Sequence, residues 1–451
     1  MRQYIRQKNA VDICEGPIFC NIWKFAWPFI LTALFQRLYH AADMIVVGRY
    51  AGPEALAGVG TTSSLTNTII NLFLGLSVGV KVVLAKALGA KDEDCIQRTV
   101  HTAISVSLVA GLIISLMGTI FTVPLLQMTG VPADVMHHAK SYMRILFVGQ
   151  VAAMVYNFGA AILHSKGDAG RPLYIISISG VINIVLNLFF VICVEMAAAG
   201  VALATVISQT FTAVAVLVLL MREKSSVRLQ LKKLRIYKKE IMDILKVGIP
   251  SGMQSMIFSL SNVIVQSGVN SFGTAAIAGS AAAADIVTFY YIVKNAFVQV
   301  TVTFVSQNIG AGKYDRLKKI LKLCALNMGL LWVAEVLVTL FAGKYLLGIY
   351  VPGDPEAIRM GMIRLTIVGC TYGIFGLNEY LCAALRGMGY SFSTMLISLI
   401  GVCGIRIVWL FTVFQAVKTF EVLFVSFALS WIGTFIMLMI WFSYVWRKKK
   451  F

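Results

Sequence analysis

Apolar runs long enough to cross a bilayer, about 20 residues each, recur twelve times along this chain of 451 residues. They fall at roughly 22–47, 55–80, 98–123, 138–162, 172–194, 199–221, 245–269, 275–303, 321–342, 360–384, 391–414 and 420–446. The connections between them are short, and no appended soluble domain is expected. In lipid every backbone polar group must be paired internally, so such a chain folds as helices. The expected class is an all-α polytopic membrane protein of twelve transmembrane helices. Composition agrees, with 13% charged residues against about 25% in soluble domains.

The net charge of +19 would suit nucleic acid, but its distribution points to a membrane. In the twelve-span arrangement, 28 of the 39 Lys and Arg lie on the side holding both termini. Seven lie opposite (Arg49, Lys140, Arg144, Lys344, Arg359, Arg364 and Lys418), and four lie within spans. The segment Arg222 to Lys246, "REKSSVRLQLKKLRIYKKEIMDILK", alone holds nine of the 28. Basic loops stay cytoplasmic, so both termini are expected inside. The partner of this basic face is then anionic membrane lipid, with no nucleic acid. The first 24 residues mix Arg2, Arg6 and Lys8 with Asp12 and Glu15 and show no cleavage site, so the first span is expected to insert uncleaved. The eight cysteines lie in or beside spans without disulfide or metal spacing, as packing residues do.

The chain also repeats itself. "KALGAKDEDCIQRTV" (Lys86 to Val100) matches "QNIGAGKYDRLKKIL" (Gln307 to Leu321) at an offset of 221, and "DMIV" (Asp43 to Val46) lies over "NVIV" (Asn262 to Val265) at 219. Six spans separate the copies, so they share an orientation and are related by an axis along the membrane normal. The expected organisation is an N-terminal six-helix lobe over 1–221, a basic cytoplasmic linker over 222–244 and a C-terminal six-helix lobe over 245–451, enclosing a central cavity. That architecture fits alternating-access carriers. "GLSVG" (Gly75 to Gly79), "AAIAGSAAAA" (Ala275 to Ala284) and "GVCG" (Gly401 to Gly404) supply small residues for close helix packing. Pro28 and Pro250 stand at corresponding places early in the first span of each half and are expected to bend it.

Within the first span, "RLYHAADMIVVGRY" (Arg37 to Tyr50) carries Asp43. An unpaired carboxylate in hydrocarbon costs at least about 2.5–3.5 kcal/mol, which marks it as functional. Gln36 and Tyr39 precede it on the same helical face, a polar stripe leading inward. Span five carries Asn183 and Asn187 at i,i+4, and span six carries Thr205 with Gln209 a turn deeper. Counted from the span ends at 1.5 Å per residue, Asp43, Asn187 and Thr205 share one depth, about 8–11 Å from the outer boundary. One carboxylate, two amides and a hydroxyl suit a proton or a small hard cation such as Na⁺. The second half lacks the set, with Asn at 262. Its own intramembrane charges are Asp285, Lys294, Glu335, Glu379 and Arg406. Ion pairs or helix packing account for the first three, while Glu379 and Arg406 are candidates for the cavity wall. Arg37 and Lys81 are expected to snorkel or pair.

These segments resemble the MATE (multidrug and toxic compound extrusion) family over essentially the whole chain. "LYHAADMIVVGRYAGPEALAGVG" is similar to the family's first span and loop. "VYNFGAAILHSKGDAGRP", with Asn157, Gly167 and Asp168, resembles the span four-to-five segment. "NIVLNLFFVICVEMAAAGVALATVISQ" resembles spans five and six, and "TFVSQNIGAGKYD" the loop after span eight. The resemblance implies export of cationic or amphipathic compounds in exchange for H⁺ or Na⁺, with no cofactor and no enzyme activity. It implies a cation site at Asp43, Asn183, Asn187 and Thr205. Some members have a second acid where this chain has Asn187, and that departure leans the coupling ion to H⁺. A functional monomer in a bacterial inner membrane is expected. The alternatives are a lipid-linked oligosaccharide flippase of the same superfamily, which needs a strongly cationic cavity, and a membrane enzyme, for which no HExxH, P-loop or His cluster appears.

Overall fold

The computed structural model describes residues 10–449, excluding the side chains of 63–65, 67–69 and 72. Arg2, Arg6 and Lys8, counted above on the inner side, lie outside the described residues. Among the described residues twelve long helical segments follow one another. In the first half they are α1 Ile18–Tyr50, α2 Gly52–Ala90, α3 Glu93–Met128, α4 as the pair Ala133–Val148 and Gln150–Ser165, α5 Gly170–Cys193 and α6 Ala197–Met221. In the second they are α7 Lys238–Asn270, α8 Thr274–Gly310, α9 Tyr314–Tyr350, α10 Pro355–Gly387, α11 Ser391–Ala416 and α12 Phe420–Lys449.

Among the described residues ten of these are long and apolar enough to cross a membrane. An eleventh, α4, qualifies once its two parts are joined across a bend of 46° at Gly149. The remaining segment, α7, has the length but is too polar to qualify, from Lys238, Lys239, Glu240 and Asp243 at one end to Ser261, Asn262 and Gln266 at the other. The chain is thus an all-helical polytopic membrane protein with ten to twelve crossings. Rows of exposed apolar side chains, such as Leu112, Leu116 and Ile120 on α3 or Leu330, Val333 and Leu337 on α9, match a lipid-facing surface.

Local chemistry sets the breaks. Asp92 caps α3 by accepting from the Cys95 amide at 2.9 Å, and Asp354 caps α10 by accepting from the Ala357 amide at 2.9 Å. Pro28 lies inside α1 and Pro250 inside α7. π-Helical turns interrupt α5 at Phe189–Cys193, α10 at Leu365–Gly369 and α11 at Leu399–Gly404.

The chain divides into two compact units, one built on Trp23–Gly252 and the other on Met253 onward together with Cys14–Ile22. Inside the first unit, "GLSVG" acts as the small-residue face expected of it. A Cβ on Gly75 would lie 2.2 Å from the Gly252 nitrogen, and one on Gly79 would lie 2.3 Å from the Ile244 carbonyl oxygen. The linker is strapped to the same unit. Gln97 of α3 donates to the Ser226 carbonyl, His101 Nε2 accepts from the Gln230 amide at 3.2 Å, and Thr102 Oγ1 accepts from the Tyr237 amide at 3.2 Å. Glu223 accepts from Lys166 and from Arg171, each at 2.7 Å. The core of the second unit is aromatic, with Tyr372, Phe420, Phe424, Phe427 and Trp431 packed on Val265, Val269 and Leu423.

Candidate functional site: a polar node around Asp43

Asp43 sits two turns before the end of α1 at Tyr50, about 10 Å inward at 1.5 Å per residue. Asn187 lies near the same end of α5, and Thr205 two turns into α6, which starts at that end. The structure joins the four residues into one hydrogen-bonded run. Asn187 donates one amide hydrogen to Asp43 Oδ1 and another to Asn183 Oδ1 at 3.2 Å. Asn183 donates to Thr205 Oγ1 at 3.4 Å, and Thr205 donates to the Val201 carbonyl at 2.9 Å. Asp43 is 9% exposed and Asn187 fully buried. Asn187 Oδ1 is buried and makes no hydrogen bond among the described residues. A buried amide oxygen normally has a partner, so this one is an acceptor held in reserve beside the acid.

Close packing holds the node. The Tyr39 ring lies against Gly180, where a Cβ would come within 1.7 Å of it, and the Tyr39 hydroxyl donates to the Ser177 carbonyl at 3.3 Å. Ser179 donates to the Ser208 carbonyl at 3.0 Å and ties α5 to α6. Toward the helix ends an apolar cluster of Val46, Val47, Val191, Ala198 and Val201 includes Tyr142 of α4. Neither Tyr142 nor Gly180 is marked by any periodicity or motif.

The supporting residues divide. Gln209 is partly buried, and its Oε1 makes no hydrogen bond among the described residues. Gln36 is exposed, while Asn157 donates to the Ala153 carbonyl of its own helix at 2.8 Å. In the second unit Lys294 donates to Glu335 and to the Tyr372 carbonyl at 2.9 Å, an ion pair between α8 and α9. Glu379 is partly buried and pairs with Arg386 at 3.6 Å, and Asp285 is partly buried on α8. Arg406, expected on a cavity wall, is instead 4% exposed and hydrogen-bonded within its own unit to Ser430, Ser261 and Asn262. Arg364, counted above on the outer side, lies well inside α10, donating to Ser280 of α8 with its guanidinium 5.1 Å from the Phe424 ring. Its long stem carries the charge to a partner that span boundaries do not reveal.

Among the described residues no three His, Cys, Asp or Glu converge as a metal-binding set. A cation at Asp43 would be held by one carboxylate and neutral oxygens, which suits a monovalent ion.

A model of the MatE family matches residues 28–189 and again residues 250–412. The chain belongs to the MATE family of transporters. Each half carries one copy of the MATE unit, which is the internal repeat seen in the sequence, and the family is one of transporters rather than enzymes. Relatives are bacterial. A probable multidrug resistance protein of Bacillus subtilis, YoeA, is 26% identical over 95% of both chains. A second from the same organism, YpnP, is 26% identical over 87% of both. An outward-facing multidrug resistance MATE family transporter of the MOP superfamily has the same fold, with a TM-score of 0.89 at 21% identity over 96% of this chain and 97% of that one.

Proposed function

We propose that this MATE protein is a secondary active efflux transporter, exporting cationic or amphipathic small molecules in exchange for H⁺ or Na⁺ by alternating access. The observation that carries the reading is the run Asp43–Asn187–Asn183–Thr205, drawn from three helices to one level around a single buried acid. The names of the Bacillus relatives support the substrate class. The clustering of Lys and Arg supports a cytoplasmic-membrane protein with both termini inside.

Asn187 is the pivot of the cycle. With Asp43 charged, Asn187 donates one amide hydrogen to the carboxylate and the other to Asn183. Loading Asp43 with a monovalent cation cancels the charge that holds that orientation, and the reserve oxygen of Asn187 then serves the proton or ion. Because α1, α5 and α6 all contribute, occupancy changes how tightly these helices are tied, and differential affinity between two states is what drives a carrier round its cycle. One carboxylate gives a site of low charge, which favours H⁺ over Na⁺.

Proteoliposomes loaded with an organic-cation fluorophore test this, with efflux driven by an imposed pH gradient or an imposed Na⁺ gradient. Efflux under one gradient that vanishes in Asp43→Asn supports the reading and names the ion. Efflux that survives the substitution removes Asp43 from coupling. No efflux under either gradient removes the substrate class.

A further inference from the structure

In the second half the corresponding helices of the repeat, α7, α11 and α12, meet at a node of opposite character. Asn262 stands where Asp43 does when "NVIV" is laid over "DMIV". Arg406 reaches it from α11, and Nη1 donates to Asn262 Oδ1 at 3.3 Å and to Ser261 Oγ at 3.1 Å. Its Nε donates to Ser430 Oγ of α12 at 3.0 Å. The guanidinium carbon lies 4.0 Å from the Phe427 ring centroid and 5.8 Å from that of Trp431. Ser261, Ser430, Phe427 and Trp431 are buried, while Asn262 is exposed and leaves the cage open on one side. Among the described residues no carboxylate pairs with Arg406. Its charge is met by three neutral oxygens and two ring faces, the surroundings that suit a monovalent organic cation.

We propose that Arg406 is a tethered resident cation. It fills the second node permanently, so this half takes up no coupling ion and the exchangeable cation of the cycle is confined to Asp43. An arginine does not lose its proton in a protein, and its chain holds it in place, so occupancy of this node follows no gradient. The confinement rests on the ion role proposed for Asp43, whereas the cage does not.

Two measurements on the full-length protein in nanodiscs test the two parts. Arg406→Ala should lower the thermal unfolding midpoint. Millimolar guanidinium should restore at least half of the loss, and equal urea, its neutral isostere, should restore none. Equal responses to guanidinium and urea, or none to either, would overturn the cage. Coupling ions bound per molecule, counted by proton release and by radioactive Na⁺, should be one in wild type and none in Asp43→Asn. An ion still bound in Asp43→Asn, or two in wild type, would overturn the confinement even if the alanine variant does not fold. No ion bound in wild type would instead sink the role of Asp43 and leave the cage to the guanidinium result.

Discussion

The node in α1, α5 and α6 and the node in α7, α11 and α12 occupy corresponding places in the two repeats, yet the first centres on a carboxylate and the second on a guanidinium. Around Asp43 one neutral amide, that of Asn187, points a donor at a carboxylate, and its buried oxygen makes no hydrogen bond among the described residues. Around Asn262 a guanidinium points donors at neutral oxygens. Elsewhere in the second unit Lys294 and Glu335 neutralise each other. Under the proposed reading, a duplicated scaffold assigns ion exchange to one copy and fixed charge to the other with a few substitutions.

Exchanging the acids should break this comparison most sharply. Asp43→Asn gives the first node the residue the second has, and ion-driven efflux should fall to the level of empty liposomes. Asn262→Asp should leave efflux within about threefold, because its new carboxylate is met by the Arg406 guanidinium, which already holds the place of a cation. Efflux rates of the two variants, side by side, check the asymmetry. Equal losses would mean that both halves couple.

The next effect in size concerns the neutral pair. Lys294→Met strands Glu335, which is 6% exposed, and removing one partner of a buried pair costs about 3–5 kcal/mol. A large drop in thermal midpoint is expected, with most of it recovered in Lys294→Met/Glu335→Leu. Recovery of the midpoint together with ion-driven efflux would show that these charges are structural. Recovery of the midpoint without efflux would place a second coupling group in this half.

Gly180→Val probes the first node through packing. Its Cβ would sit 1.7 Å from the Tyr39 ring, so the ring must swing aside or α1 and α5 separate, at about 1–3 kcal/mol. Because Asn187 and Asp43 lie on those same two helices, ion affinity should weaken along with the midpoint. Gly373, whose Cβ would sit 1.8 Å from the Trp332 ring, offers the matched change in the second unit. Gly373→Val should lower the midpoint and leave ion affinity unchanged, as ion binding on the two proteins would show.

What the sequence makes legible follows from depth. Against an apolar background Asp43, Asn183, Asn187 and Thr205 each stand out, and residue count from a span end fixes their level, so their meeting could be anticipated. Depth says nothing of azimuth, and azimuth decides partners. Arg406 and Glu379 look alike as charges inside a span, yet one is caged by serines and rings and the other paired with Arg386. Tyr142 carries no signal because an aromatic near a span end is ordinary, and Gly180 matters only through the ring opposite. The bend in α4 escapes a hydropathy reading for a related reason: neighbouring helices, rather than the segment alone, satisfy its backbone groups.

The smallest predicted effect separates the node from the linker strap, which could otherwise be mistaken for a source of pH dependence. Burial alone would raise the Glu223 carboxyl, but hydrogen bonds from Lys166 and Arg171, with their charges, outweigh it and hold it below the usual glutamate range. A carboxyl depressed in the folded state contributes stability above its unfolded value and loses it as pH falls through the folded one. The strap should therefore be constant through the neutral range and weaken only in acid, below the ordinary glutamate value. Glu223→Gln should cost about 0.5 kcal/mol, as a partly exposed pair does, and should flatten the acid limb of the midpoint-against-pH curve while leaving the neutral range parallel to wild type. If efflux varies with pH near neutrality in wild type, that variation should persist in Glu223→Gln and disappear in Asp43→Asn. Its disappearance in Glu223→Gln instead would move the pH response from the node to the strap.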